Sequence, residues 1–191
     1  MEGKYYNRVI DAWFLAYEAV GRKPELIKKM HLLNEGGLRH HGQFDRHFPT
    51  LEDFYRMNRT HFHQKMQNVI HGYHHGATGA KLWSIFYGEV YNCKKECRIA
   101  VYRNDIAFIE EAVNTLQEFL EISAFEARHD SLLYNCCFFS LLGLIWGFIK
   151  EWNGSDYEKS YIEAYAQVTA RLAFSFNHNT STFRSILKHL S

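Results

Sequence analysis

Proline occurs twice in this chain, as Pro24 and Pro49, and both stand where a helix would begin rather than inside one. A ring with no amide hydrogen that clashes with the preceding turn is tolerated at the first helical position and disrupts a helix further in. The remaining stretches are therefore open to long helices. No alternating run of β-branched residues competes with that reading. The expected fold class is all-α.

Apolar periodicity places the helices. Val9, Trp13, Ala16, Tyr17 and Val20 mark one face of a first helix, with Gly21 as its stop, and Leu26, Ile27, Met30 and Leu33 mark a short second one ended by Gly36-Gly37. Leu38 to Phe48 is a candidate third helix. Thr50 with Asp53 resembles a capping box whose acid is one methylene short, opening a long helix through Phe54, Met57, Phe62, Met66 and Ile70 that breaks at Gly76 to Gly79. Leu82 to Tyr91 continues as a fifth helix. Asn104 is expected to cap a periodic helix bearing Ile106, Ile109, Val113, Leu116 and Leu120. An apolar helix from about Asp130 to Trp152 ends at Asn153-Gly154, and Ser155 with Glu158 is expected to box the start of a helix carrying Tyr161, Tyr165, Val168 and Leu172. A last short helix holds Phe183, Ile186, Leu187 and Leu190.

At 191 residues the chain suits one compact unit or a small head fused to a larger body. Aromatic content of 16%, with 15 Phe and 12 Tyr, supplies bulk for a core or an enclosed pocket and excludes a disordered chain. Formal net charge is +1, so any basic footprint for nucleic acid has to be local. Cys93, Cys97 and the pair Cys136-Cys137 do not form a secreted disulfide framework, and the N-terminus has no basic-then-apolar leader pattern, so a reducing cytoplasm is expected. From Leu132 to Ile149 no residue is charged, a length at the lower limit for a membrane span. Asn135, Ser140 and two glycines argue instead for a helix buried in the core or at a subunit interface, so no membrane partner is expected.

Chemistry finds little foothold. His71 and His75 share a helical face with His74 beside them, a spacing that can offer two ligands to one ion, but no third follows from the same helix because His61 and His63 point to different faces. No metal site is assigned. The chain has no glycine-rich phosphate loop and no nucleophile elbow, and His129-Asp130 lacks assignable companions. No catalytic residue and no cofactor is expected.

The segment Gly42-Gln43-Phe44-Asp45-Arg46-His47-Phe48-Pro49-Thr50-Leu51-Glu52-Asp53-Phe54 reads as the end of a recognition helix followed by a capped carrier helix. With the two helices before it, the region from about Val9 to Phe54 resembles the DNA-binding head of the TetR family of transcriptional regulators. Gly42, Phe44, His47, Phe48, Thr50, Glu52 and Phe54 fall on positions of the family's pattern. Phe138-Phe139, Gly143, Trp152 and Gly154 resemble the aromatic, glycine and tryptophan pattern of the helix that packs the family's dimers. The resemblance departs at Asp45 and Leu51, which stand where the family has a tyrosine and a lysine directed at phosphates, and at Gln43, which replaces a small residue.

The resemblance implies a helix-turn-helix head over residues 1-54 and a helical body over 55-191. It implies a homodimer that binds operator DNA and answers to a small-molecule effector. Arg39, His40, His41, Gln43, Phe44, Arg46 and His47 are the expected DNA-binding residues. Trp83, Tyr87, Tyr91, Phe108 and Phe119 are the expected pocket lining, and Phe138, Leu141, Ile145, Tyr161 and Tyr165 the expected dimer interface. Because an acid facing a phosphate is repulsive, Asp45 and Leu51 keep a second reading open, a TetR-shaped interaction protein without operator binding. A small helical metalloprotein using the His61 to His75 region is a third.

Overall fold

A computed structural model describes residues 2–35, 37–38, 41–72, 79–119 and 131–178, and among them every regular element is helical. α1 (Glu2–Ala19) starts well ahead of Val9 and stops just before Gly21, whose φ of 69° is in the left-handed region that glycine enters without steric cost. Pro24 opens a 3₁₀ turn (Pro24–Leu26), so Leu26 belongs to that turn and the second helix, α2 (Lys29–Asn34), is shorter than its periodicity suggests. α3 (His41–His47) is likewise shorter than expected, and Leu38 reaches the core from the segment before it.

Thr50 and Asp53 cap α4 (Leu51–Gly72) reciprocally. The Thr50 amide donates to Asp53 Oδ2 at 2.9 Å and the Asp53 amide to Thr50 Oγ1 at 3.1 Å, so the shorter acid still reaches back to the first free donors of the helix. Then follow α5 (Gly79–Asn92), α6 (Lys94–Arg103), α7 (Ala107–Phe119), α8 (Ser131–Gly154) and α9 (Tyr161–His178). Gly79, expected to close a break, is the first residue of α5. The rest of that break, from Gly76 onward, and the expected last helix over Phe183 to Leu190 lie outside the described residues.

Two expected caps are corrected. Asn104 does not open α7. It closes α6 from a left-handed conformation (φ 53°), and the Asp105 amide donates to the Ala100 carbonyl at 2.9 Å, so an unheralded helix precedes it. Ser155 and Glu158 do not box α9, which begins at Tyr161. Ser155 Oγ donates back to the Trp152 carbonyl at 3.0 Å, and the Trp152 indole donates to the Glu158 carbonyl at 2.7 Å. The loop thus wraps over Trp152 because a buried indole N–H needs an acceptor.

Buried side chains fall into two clusters. The first joins Trp13, Ile10 and Val9 of α1 to Leu32 and Leu33 of α2, Phe44 and Phe48 around α3, and Phe54 and Tyr55 of α4. The second joins Phe62 and Met66 further along α4 to apolar residues of α5 to α9, centred on Phe86, Tyr87, Ile145 and Trp152. α4 is common to both. α6 also crosses over, because its Ile99 is buried in the first cluster and Tyr102 stacks on Tyr17 with centroids 4.6 Å apart. Polar contacts follow the same seam. The Tyr6 hydroxyl donates to Asn58 Oδ1 at 2.7 Å and the Asn58 amide to the Glu96 carbonyl at 3.2 Å, while Arg59 and Arg103 share Glu52 and Asp105.

Candidate nucleic-acid interface

α3 is too short to be stable by itself and is held by its aromatic side. Phe44 and Phe48, four apart, share one face of the turn; their centroids are 5.4 Å apart, and Phe48 meets Phe54 edge-on at 5.5 Å. Phe44 has no exposed surface. Its assignment as a DNA contact is therefore corrected, since a ring enclosed in the head core cannot reach a base or a phosphate.

The remaining described candidates lie off that face to different degrees. Arg46 is exposed and makes no described ion pair, Gln43 is half-buried, and His47 leans its ring on Tyr5 at 5.1 Å. Arg39 and His40, and the side chain of His41, lie outside the described residues. Asp45 is exposed but not alone. Lys29 of α2 forms an ion pair with it while lying 5.6 Å over the Phe44 ring. The acid that breaks the family pattern therefore has its counter-charge within the head. Lys29 carried no signal in the sequence, because only the packing of α2 on α3 brings it there. Leu51 is half-buried and packs against the head core, so it presents no cation where the family has one.

In the body, Trp83, Tyr87 and Phe108 are buried in the second cluster, Tyr91 packs at its edge, and the side chain of Phe119 lies outside the described residues. Tyr87 shares a hydrogen bond of 2.8 Å with Thr169, and neither described cleft is lined by any of the four. Among the expected interface residues, Phe138, Leu141, Ile145 and Tyr165 belong to the chain's own core, and Tyr161 alone is exposed. The expectation is corrected for those four, whose side chains are already enclosed within a single chain. The open face of α8 and α9 carries Phe139, Ser140, Gly143 and Gly147 on one helix and Tyr161, Ala164 and Val168 on the other, with Phe139 59% and Val168 49% exposed. Residues 138, 141, 145, 149 and 152 follow one stripe of three- and four-residue steps, and 139, 143 and 147 the neighbouring stripe. The sequence contained this contrast, but both stripes are apolar.

The other reactive groups are enclosed. Cys93 and Cys97 are free thiols in the body core, and burial pushes the Cys93 thiol up to about 12, so it is no nucleophile at neutral pH. Beside it, the buried Glu96 carboxylate lies 3.7 Å from Lys65 and 3.6 Å from His61, whose own titration is lowered by burial and by Lys65. No group of three or more metal-binding side chains occurs among the described residues, and His74 and His75 lie outside them. Nor is any helix among the described residues long and apolar enough to cross a membrane. Compared with family models, curated proteins and solved structures, the chain matches none.

Proposed function

We propose that this chain is a TetR-like transcriptional regulator that works in the cytoplasm as a homodimer, binds operator DNA through α3, and is controlled by a small-molecule effector held in the helical body. The observation that carries the reading is the division of α3 into two sides. Phe44 anchors one side in an aromatic core, Arg46 stands exposed on the other with Gln43 and His47 half-buried between, and Asp45 is neutralised by Lys29. Arg and Gln are residue types suited to base edges and phosphates.

The dimer rests on separate support. Gly143 and Gly147 stand in the middle of α8, where glycine costs about 1 kcal/mol relative to alanine, yet a Cβ added at either would meet nothing within 4 Å. Packing inside the chain does not require them. Close approach of a helix from a second copy does, and Phe139, Ala164 and Val168 border the same face.

Titrating labelled DNA from the region upstream of the chain's own gene tests the reading, with binding followed by fluorescence anisotropy between about 50 and about 200 mM salt. Binding is expected to exceed that of a charge-matched control, and Arg46→Ala to lower the salt slope by about one. A second reading, an interaction protein of the same shape without operator binding, is favoured by Leu51, which offers no phosphate contact. Dimeric protein that shows no association above the control establishes that reading instead.

A further inference from the structure

A cleft of about 410 Å³ opens where the connection between α1 and α2 meets the start of α4 and the end of α6. Its volume falls within the roughly 300–1,000 Å³ of sites for small molecules. Ile27 and Tyr55 line it from enclosed positions, while Pro24, Leu51 and Tyr102 are half-buried and leave apolar surface that a guest can touch. Only two of the lining side chains are charged, Glu25 and Arg103.

Those two charges differ in what they have left to offer. Arg103 lies 3.3 Å over the Tyr55 ring, with Nη2 3.4 Å from Glu52 Oε2 and Nη1 3.7 Å from Asp105 Oδ2. Arg59 reaches the same two carboxylates at 2.9 and 3.8 Å, so two guanidiniums and two carboxylates close a neutral set. Glu25 is exposed and makes no described ion pair. The cations nearest to it along the chain do not line the cleft: Arg22 donates to Glu18 at 3.0 Å, and Lys23 and Lys28 are exposed. The charge left over on the wall is therefore negative, and it can be reached from the cleft. Arg103 on Tyr55 shows in addition that this wall holds a cation against a ring.

We infer that this cleft binds a small organic ammonium cation with an apolar body, its nitrogen directed to the Glu25 carboxylate and its body against Pro24, Leu51 and Tyr102. The site lies between the head and α6 and uses none of the residues expected to line an effector pocket in the body. Its occupation is measured directly, so it stands or falls independently of DNA binding.

The test is NMR titration of the isotope-labelled full chain with 2-phenylethylammonium, 2-phenylethanol and 3-phenylpropionate, which carry similar apolar bodies and differ in charge. The ammonium is expected to bind with Kd of about 1 mM or tighter and to shift the amide signals of Glu25, Ile27, Leu51 and Tyr102. The alcohol should bind about fivefold more weakly, which is what an exposed ion pair contributes, and the carboxylate more weakly than the alcohol. Glu25→Gln should bring the ammonium to the level of the alcohol. Glu25→Lys should reverse the order of the two charged probes, with helical circular dichroism unchanged because the position is exposed. The alcohol binding the unmodified chain as tightly as the ammonium, ammonium binding undiminished in Glu25→Gln, shifts confined to other parts of the chain, or no saturable shift would each overturn the assignment. The comparison among the three probes uses the unmodified chain, so it decides alone should a substitution disturb the turn.

Discussion

Phe44 is fully enclosed, packed against Phe48 and beneath the Lys29 ammonium, in a helix of only seven residues. A resemblance based on sequence position put it on DNA, whereas its spacing to Phe48 already placed the two rings on one face; burial decides between the readings. Phe44→Ala should lose about 3–5 kcal/mol of stability in urea denaturation, the cost of emptying an aromatic site in a core. Lys29→Ala tests the opposite kind of residue. An exposed ion pair contributes about 0–1 kcal/mol, so stability should barely change. If α3 reads DNA, however, Asp45 then faces the phosphates without its counter-charge, and anisotropy should record weaker association at low salt. Weakened association together with a large drop in stability would mean that Lys29 acts through packing instead. A pairing between residues on two different helices has no local trace in the chain, which is why Asp45 reads as a defect until α2 is placed beside α3.

Among the elements, those with a clean apolar stripe and a local cap are legible and those without are not. Thr50 and Asp53 announce α4, and Thr50→Ala should cost about 0.5–2 kcal/mol, read as a lowered urea midpoint at constant slope. The same cap sets a pH dependence. Hydrogen bonds from the Thr50 hydroxyl and amide hold the Asp53 carboxyl below its ordinary value, with Arg56 adding to the effect. The contribution is thus complete above the ordinary carboxylate range and disappears as pH falls through the lowered native value. Stability of the parent chain should decline over that acid window more steeply than that of Asp53→Asn. α6 escapes a reading by pattern because it opens with Lys94-Lys95-Glu96 and buries Glu96 beside Cys97, Ile99 and Ala100. A buried acid breaks the apolar stripe, and its compensation by Lys65 comes from another helix. The loop before α9 misleads for a related reason: Ser155 and Glu158 have capping-box spacing, but the Trp152 indole takes the Glu158 carbonyl for itself.

For the molecule as a whole, the open face of α8 and α9 and the enclosed face of α8 make opposite predictions. Phe139→Glu together with Val168→Glu should leave a folded chain that sediments as a monomer. Leu141→Glu should instead unfold it, because a charge would enter a core with no partner for it. A doubly substituted chain that remains dimeric by sedimentation would remove α8 and α9 from the interface. Fold class was legible because helical periodicity is a property of short windows, while the division between these two faces depends on which neighbours α8 meets and is decided only by packing.

The first cluster is not made from contiguous chain. Trp13 and Tyr17 are covered by Tyr102, and Ile99 completes the same core, although the rest of that cluster lies before residue 56. During synthesis the aromatic flank of α1 must therefore wait for a stretch of chain that has not yet been made. At roughly 5–20 residues per second, the 44 residues that follow Asn58 up to and including Tyr102 take about 2–9 s. For that interval the N-terminal portion lacks the cover that Ile99 and Tyr102 give Trp13 and Tyr17 in the folded chain. A fragment ending near residue 58 should accordingly bind the apolar dye ANS and lack sharp near-ultraviolet dichroism, whereas the full chain should show neither defect.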